Sequence, residues 1–307
     1  MNFGDNRMLI SRLRTGYNQK KQITFLLGSG CTLSNNPLEK AVSSVSEIVS
    51  QIKQIFEKDN QLDIINDALS LKSTENQYQV AMNTLLQCYG QDDVNKVIVN
   101  AVLNCRSSGV VFSNDGGASN ELENIEQDKT GWNVKNGMLA LGKLLVKYPK
   151  TFQSPVLTTN FDPLIEISVA KANGFYNPTC LTNDGNILNT ASSSSIVQVI
   201  HLHGFWRHGD TLHSPSQLTK ERPLLKGDLR KILSNTILVV LGYGGWGDVF
   251  TDTLIEVITE GNSDCNVLWT FYDNNDSNLI SSNSNLLEKL KNAIDQRVVL
   301  YKGIDFN

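Results

Sequence analysis

The sequence predicts an α/β protein built on a doubly wound, mostly parallel β-sheet with a helical insertion. Three observations lead there. Short, continuously apolar or β-branched runs end abruptly in glycine or polar turn residues, as strands buried on both faces do. Amphipathic stretches of helical period separate several of these runs, and strand alternating with helix places helices on both faces of a parallel sheet. At 307 residues the chain is near the size at which one core stops growing, so a single core carrying an insertion is the simplest organisation.

Taken in order, strands are expected at ITFLL (23–27), PVLTT (155–159), IVQVI (196–200), TILVVL (236–241), NVLWTFY (266–272) and QRVVLY (296–301). Helices are expected over 163–173, 223–234, 247–260 and 284–294. From Pro37 to Trp132 the alternation stops. That region reads as helices around 38–58, 62–70, 77–89 and 91–105, with no strand, and it ends in the polar stretch SNDGGASNELENIEQDK. Residues 113–130, rich in Asn, Gly and acidic side chains, read as a loop or mobile segment, and ASSSS at 191–195 reads as a loop. The expected organisation is therefore a sheet domain formed by 1–36 and 133–307, interrupted by a helical insertion at 37–132.

Composition narrows the function classes. Hydrophobic residues at 40% and charged residues at 19% are those of an ordinary soluble protein, and no apolar run approaches the roughly 20 residues that a bilayer requires. The N-terminus is polar with scattered basic residues and lacks the apolar stretch and cleavage site of a secretory signal, which predicts a cytoplasmic protein. Five cysteines (Cys31, Cys88, Cys105, Cys180, Cys265) form no C-x-x-C pair, which argues against a disulfide framework and against a zinc ribbon, so no metal is expected. A formal net charge of −4 without a dense Lys/Arg tract argues against direct nucleic-acid binding.

Five segments carry the chemistry. In QITFLLGSGCTLSNN a strand runs straight into Gly28, Ser29, Gly30, Cys31 and Thr32; glycines there let backbone N–H groups approach a phosphate, although a tight strand-to-helix turn explains them equally well. In VLTTNFDPLIE a buried strand ends in Thr159, Asn160, Phe161 and Asp162 before Pro163 opens a helix. Asn and Asp at that end of a parallel strand sit where open α/β sheets bind ligands, and capping of the helix is the competing role for Asp162. In VIHLHGFW, His203 stands at a strand terminus beside Gly204, with a side chain suited to acid–base work near neutral pH. His201, two residues earlier and on the same face if the strand continues, reads as a satisfied core histidine, and His208 and His213 lie in polar loop. ILVVLGYGGWGDVF supplies a second glycine-rich turn with Gly242, Tyr243 and Gly244, and NVLWTFYDNND offers Asp273 to an adenosine ribose, or simply as a turn residue.

In this order GSGCT, TTNFD, HLHG and LGYGG resemble the sirtuin family, over roughly residues 23–34 and 155–275. The resemblance implies a Rossmann-like fold and NAD⁺ as substrate. It places Gly28, Gly30 and Thr32 at phosphate, Asn160 and Asp162 at the nicotinamide ribose and carboxamide, His203 as general base, and Gly242 and Tyr243 at the far side of the dinucleotide. The four-cysteine zinc module of deacetylating sirtuins is absent, and SNNPLEK replaces their segment after the first glycines. The pattern is closer to defence-associated bacterial sirtuins, which implies an NAD⁺ glycohydrolase acting as an antiphage effector. It further implies a homo-oligomer with a HerA-type ATPase partner or a C-terminal sensor region in a larger parent protein. A protein deacylase or ADP-ribosyltransferase, and a non-catalytic module that binds NAD⁺ or ADP-ribose, remain the alternatives.

Overall fold

A computed structural model of the chain describes residues 2–34, 36, 38–72, 76–107, 118–152, 155–185, 195–207, 209–260, 263–294 and 296–306, with side chains left aside at 118–120. The strands are β1 (Phe3–Gly4), β2 (Gln22–Leu27), β3 (Val156–Thr158), β4 (Phe175–Cys180), β5 (Ile196–His201), β6 (Thr236–Leu241), β7 (Asn266–Thr270) and β8 (Val298–Tyr301). They form one sheet in the order β1-β8-β7-β6-β2-β3-β5-β4, and every pairing between these strands is parallel.

Helices cover both faces, as the alternation of elements required. They are α1 (Asn6–Asn18), α2 (Val45–Lys58), α3 (Leu62–Leu71), α4 (Gln77–Tyr89), α5 (Gln91–Leu103), α6 (Ala118–Gln127), α7 (Asn136–Lys147) and α8 (Pro149–Phe152). After β3 come α9 (Leu164–Lys171), α10 (Pro215–Leu218), α11 (Pro223–Leu233), α12 (Val249–Thr259), α13 (Asp276–Ser282) and α14 (Ser284–Leu290). Alternation along the strands sorts the side chains. Ile23, Phe25, Leu27, Val239 and Leu241 join the core beneath α2, α4, α5, α7 and α9, while Leu26, Leu238 and Val240 join the core beneath α11, α12 and α14. Ile48, Ile52, Phe56, Met82 and Ile98 of the helices between β2 and β3 share the first of these cores with the strands. The helical region is therefore packed onto the sheet rather than hung from it.

Chain order and register together make the crevice. The chain leaves β2 for β3 on one side and β6 for β7 on the other, so adjacent β2 and β6 form a switch point where parallel sheets bind ligands. Leu27 pairs with both Leu241 and Thr158, and Thr158 pairs with His201, so four strands end at one level. The four motifs singled out in the sequence follow directly from those ends.

Several expectations change. β1 has two residues, too few to carry a pattern, and β4 (FYNPTC) lies at the other sheet edge, where its mixed composition and Pro178 are tolerated. The helix expected from 38 begins at Val45, where Ser44 and Glu47 form a reciprocal capping box. Within the expected loop 113–130, residues Ala118–Gln127 form α6, held by Glu126, which accepts hydrogen bonds from Trp206 Nε1 and Arg207 Nε at 3.2 and 2.6 Å. Residues 113–117 of that stretch, 191–194 of the serine run, Pro37 and His208 lie outside the described residues. Among the described residues no helix is long and apolar enough to cross a membrane, and no group of three or more His, Cys, Asp or Glu could hold a metal ion.

Candidate functional site

The two glycine-rich turns pack on each other at the switch point. Gly28 N–H donates to Leu241 O at 2.9 Å and Gly30 N–H to Gly242 O at 3.0 Å. A Cβ at position 28 would stand 2.4 Å from Gly242 O, and Gly242, at φ +62°, would put one 2.6 Å from Cys31 N. These glycines thus serve the contact between β2 and β6. The N–H groups of Gly28 and Gly30, expected at a phosphate, are engaged by protein carbonyls. Cys31 is turned into the core, its Sγ donating to Leu241 O at 3.3 Å and its thiol raised by burial.

Beside this joint lies a cavity of about 110 Å³. Its polar wall comes from Ser29, Thr32, Thr159, Asn160, Asp162 and His203, with Gly242, Tyr243 and Gly244 from the second turn. Its roof is apolar: Val45 and Ile48 of α2, Tyr78 of α4, Ile98 and Val102 of α5, together with Phe161 and Trp246. Ten of the fourteen predicted site residues, including all three candidate catalytic side chains, line this space, whereas Gly28, Gly30, Cys31 and Asp273 do not. Asp273 is exposed and its carboxylate accepts Asn275 N–H at 2.8 Å; its neighbour Tyr272 instead lines two adjoining cavities.

Those cavities extend the site. One of about 190 Å³ shares Leu33 and Gly242 with the first and includes Gly30, Thr270 and Asp305. Another, open and about 790 Å³, shares Thr32 and includes Lys40, Asn133 and Lys135.

Each candidate catalytic side chain is held. Asn160 Nδ2 donates to Gly28 O at 3.1 Å, and its backbone N–H donates to Thr158 Oγ1 at 3.0 Å. Asp162 Oδ1 accepts Leu164 N–H at 3.1 Å, so it braces the start of α9 and lines the cavity at once. Burial raises its carboxyl to about 6, with Glu166 adding to the rise and the Leu164 N–H and His201 opposing it. His203 Nε2 lies 2.8 Å from Asp248 Oδ2. Asp248 is the N-cap of α12, receiving Thr251 N–H at 2.7 Å and Tyr243 Oη–H at 2.7 Å. Burial pushes its carboxyl up, but the hydrogen bonds from His203, Thr251 and Tyr243 outweigh this and hold it below the ordinary value.

The structure separates the two histidines that the strand was expected to place alike. β5 ends at His201, whose partners are Asn160 O and Glu166 of α9, whereas His203 reaches Asp248 at the start of α12 on the opposite face. His213, expected in polar loop, is buried between Tyr78 Oη at 2.8 Å and Thr211 Oγ1 at 2.7 Å, joining α4 to the sheet region. Asp248, Tyr78 and Trp246 were not singled out from the sequence. For Asp248 a signal existed, an Asp between a glycine-rich turn and an apolar helix, which is an N-cap pattern that says nothing of the histidine it will meet.

Fold and site define a parallel α/β, Rossmann-like protein with a cavity at the switch point. Residues 154–295 match the family model of the SIR2-like domain. That span contains Asn160, Asp162, His203, Tyr243 and Asp248, and the match supports a sirtuin-like relationship and NAD-related enzyme chemistry. No curated protein matches the chain significantly.

Proposed function

We propose that this protein is an NAD⁺ glycohydrolase, releasing nicotinamide and ADP-ribose. The observation that carries the reading is the cavity at the switch point, lined at once by Asn160, Asp162 and a His203 anchored to Asp248. At about 110 Å³ it is smaller than the about 300 Å³ or more of a typical small-molecule site, so it suits the nicotinamide end of the dinucleotide. The remainder would occupy the adjoining cavities beyond Leu33 and Thr32. The apolar roof from α2, α4 and α5 and the small volume beneath it favour hydrolysis over deacylation in this reading.

The chemistry follows from the side chains. A carboxylate at Asp248 only accepts, so His203 Nε2 carries its hydrogen and Nδ1 is the basic nitrogen. The C–N bond between nicotinamide and ribose breaks with its electron pair leaving on nicotinamide, and positive charge develops on the ribose. Asp162, mostly ionised at neutral pH with its carboxyl near 6, accepts the carboxamide N–H and stabilises that charge. Asn160 places the attacking water, whose oxygen bonds to the ribose carbon. His203 Nδ1 takes the water's proton, a step typically worth about 10²–10⁴-fold in rate.

In the cell this activity would deplete cytoplasmic NAD⁺ as the effector of an antiphage system, in a homo-oligomer held by a HerA-type ATPase or by a C-terminal sensor region; the motif pattern of the sequence supports that role. The purified chain incubated with NAD⁺ should release equal amounts of nicotinamide and ADP-ribose, followed by chromatography. Asn160→Ala and His203→Ala should each lose that release while keeping the wild-type melting transition. Undiminished turnover in both would sink the assignment.

A further inference from the structure

Behind the cavity wall lies a buried ionisable pair that takes no part in the chemistry above. His201 and Glu166 have no solvent exposure, and His201 Nε2 is 2.8 Å from Glu166 Oε1. The other ring nitrogen, Nδ1, is 2.8 Å from the backbone carbonyl of Asn160. A carbonyl can only accept, so Nδ1 carries hydrogen, and a single further proton is shared between Nε2 and the carboxyl. Glu166 Oε2 has no hydrogen-bond partner among the described residues.

Such an arrangement is expensive. Replacing a buried charged pair by apolar groups is often neutral or stabilising, and an orphaned buried acceptor adds a desolvation cost of its own. Phe205, whose ring centre is 4.2 Å from that of His201, shows that apolar side chains fit the surroundings. The contact that an apolar replacement could not make is the one to Asn160.

We propose that the His201–Glu166 pair is a positioning device for Asn160, holding its carbonyl so that the side-chain amide stays fixed against Gly28. This rests on the reading of Asn160 as the residue that places the attacking water. Asn160 is then clamped at three points: N–H on Thr158 Oγ1, Nδ2 on Gly28 O, and C=O on His201 Nδ1. Glu166, one helical turn beyond Asp162, fixes the tilt of the imidazole. His201 does not line the cavity; its contact with the site is the hydrogen bond to Asn160, beside an electrostatic influence on Asp162 that both substitutions below remove alike.

Two substitutions of similar polarity separate positioning from mere stability. His201→Asn keeps a donor where Nδ1 stands and loses the contact to Glu166; His201→Gln keeps a partner for Glu166 and loses the donor to Asn160. With the full-length protein, His201→Asn is expected to keep kcat for NAD⁺ within about threefold. His201→Gln should lower kcat by about 10–100-fold with KM little changed, the scale expected when a catalytic group is slightly misplaced. Equal kcat in the two variants, at equal melting temperature, overturns the proposal. Amide hydrogen exchange at Thr158–Asp162 provides a readout independent of turnover: exchange should rise in His201→Gln and not in His201→Asn. Equal exchange in both also overturns it. A wild-type protein that consumes no NAD⁺ would instead refute the glycohydrolase reading, and the exchange comparison would still decide the role of His201.

Discussion

Asp248 Oδ2 sits 2.8 Å from His203 Nε2 and also receives the hydroxyl of Tyr243 at 2.7 Å, so the cap of one helix orients a histidine from a strand end 45 residues earlier. A single carboxylate performs two jobs, bracing α12 through Thr251 N–H and fixing which nitrogen of His203 is basic. The two jobs can be separated.

Asp248→Asn should preserve the fold, because Asn caps helices about as well as Asp. It removes the acceptor-only partner that specifies the His203 tautomer, and nicotinamide release should fall by about 10²-fold or more. Turnover within a few fold of wild type, at an unchanged melting temperature, would exclude Asp248 as the orienting group.

Asp162 makes an opposite kind of prediction. Its carboxyl is raised to about 6 by burial, above its ordinary 3.8, so the folded state binds the extra proton between these values. Stability from this group is present at low pH and is lost as pH rises through about 6. Asp162→Asn, which can still accept Leu164 N–H, should therefore melt higher than wild type at pH 8, with the difference shrinking towards pH 4, while hydrolysis falls. Melting curves at the two pH values check the sign.

His213 works the other way. Burial, with His203 adding to it, lowers its imidazole from 6.5 to about 3, so the neutral form is the native one. Stability from this group is complete above about pH 6.5 and is lost as pH falls towards about 3. Since His213 receives Tyr78 of α4, His213→Gln should flatten the acid side of the stability profile relative to wild type, measured by thermal melts across that range.

The glycines divide by what surrounds them. Gly28→Ala must push a Cβ to 2.4 Å from Gly242 O, and should destabilise the protein by several kcal/mol or prevent folding. A Cβ at Gly244 meets nothing within 4 Å, and this residue lines the cavity. Gly244→Ala should melt like wild type and show its effect, if the cavity holds substrate, in a raised KM. Equal melting temperatures for the two variants would contradict the packing assigned to Gly28.

The sequence by itself determined the sheet's central strands and the edge at which the cavity opens. Continuous apolar runs such as TILVVL can only be buried on both faces, and Asn160, Asp162 and His203 stand directly after such runs, where parallel strands deliver side chains to one edge. Periodicity reaches no further than a strand or a helix. The two-residue β1 and the Pro-containing edge strand β4 carry too little pattern to register, and the acidic α6 is tied to the sheet region through Glu126, which meets Arg207 and Trp206. Tertiary structure alone decided that Gly28 and Gly30 serve Gly242, that Cys31 turns inward, that His201 faces Glu166 while His203 faces Asp248, and that α2, α4 and α5 roof the cavity. All of these are pairings between residues distant in the chain, set by strand register and by which face of the sheet each helix covers, and local sequence has no means to encode them singly.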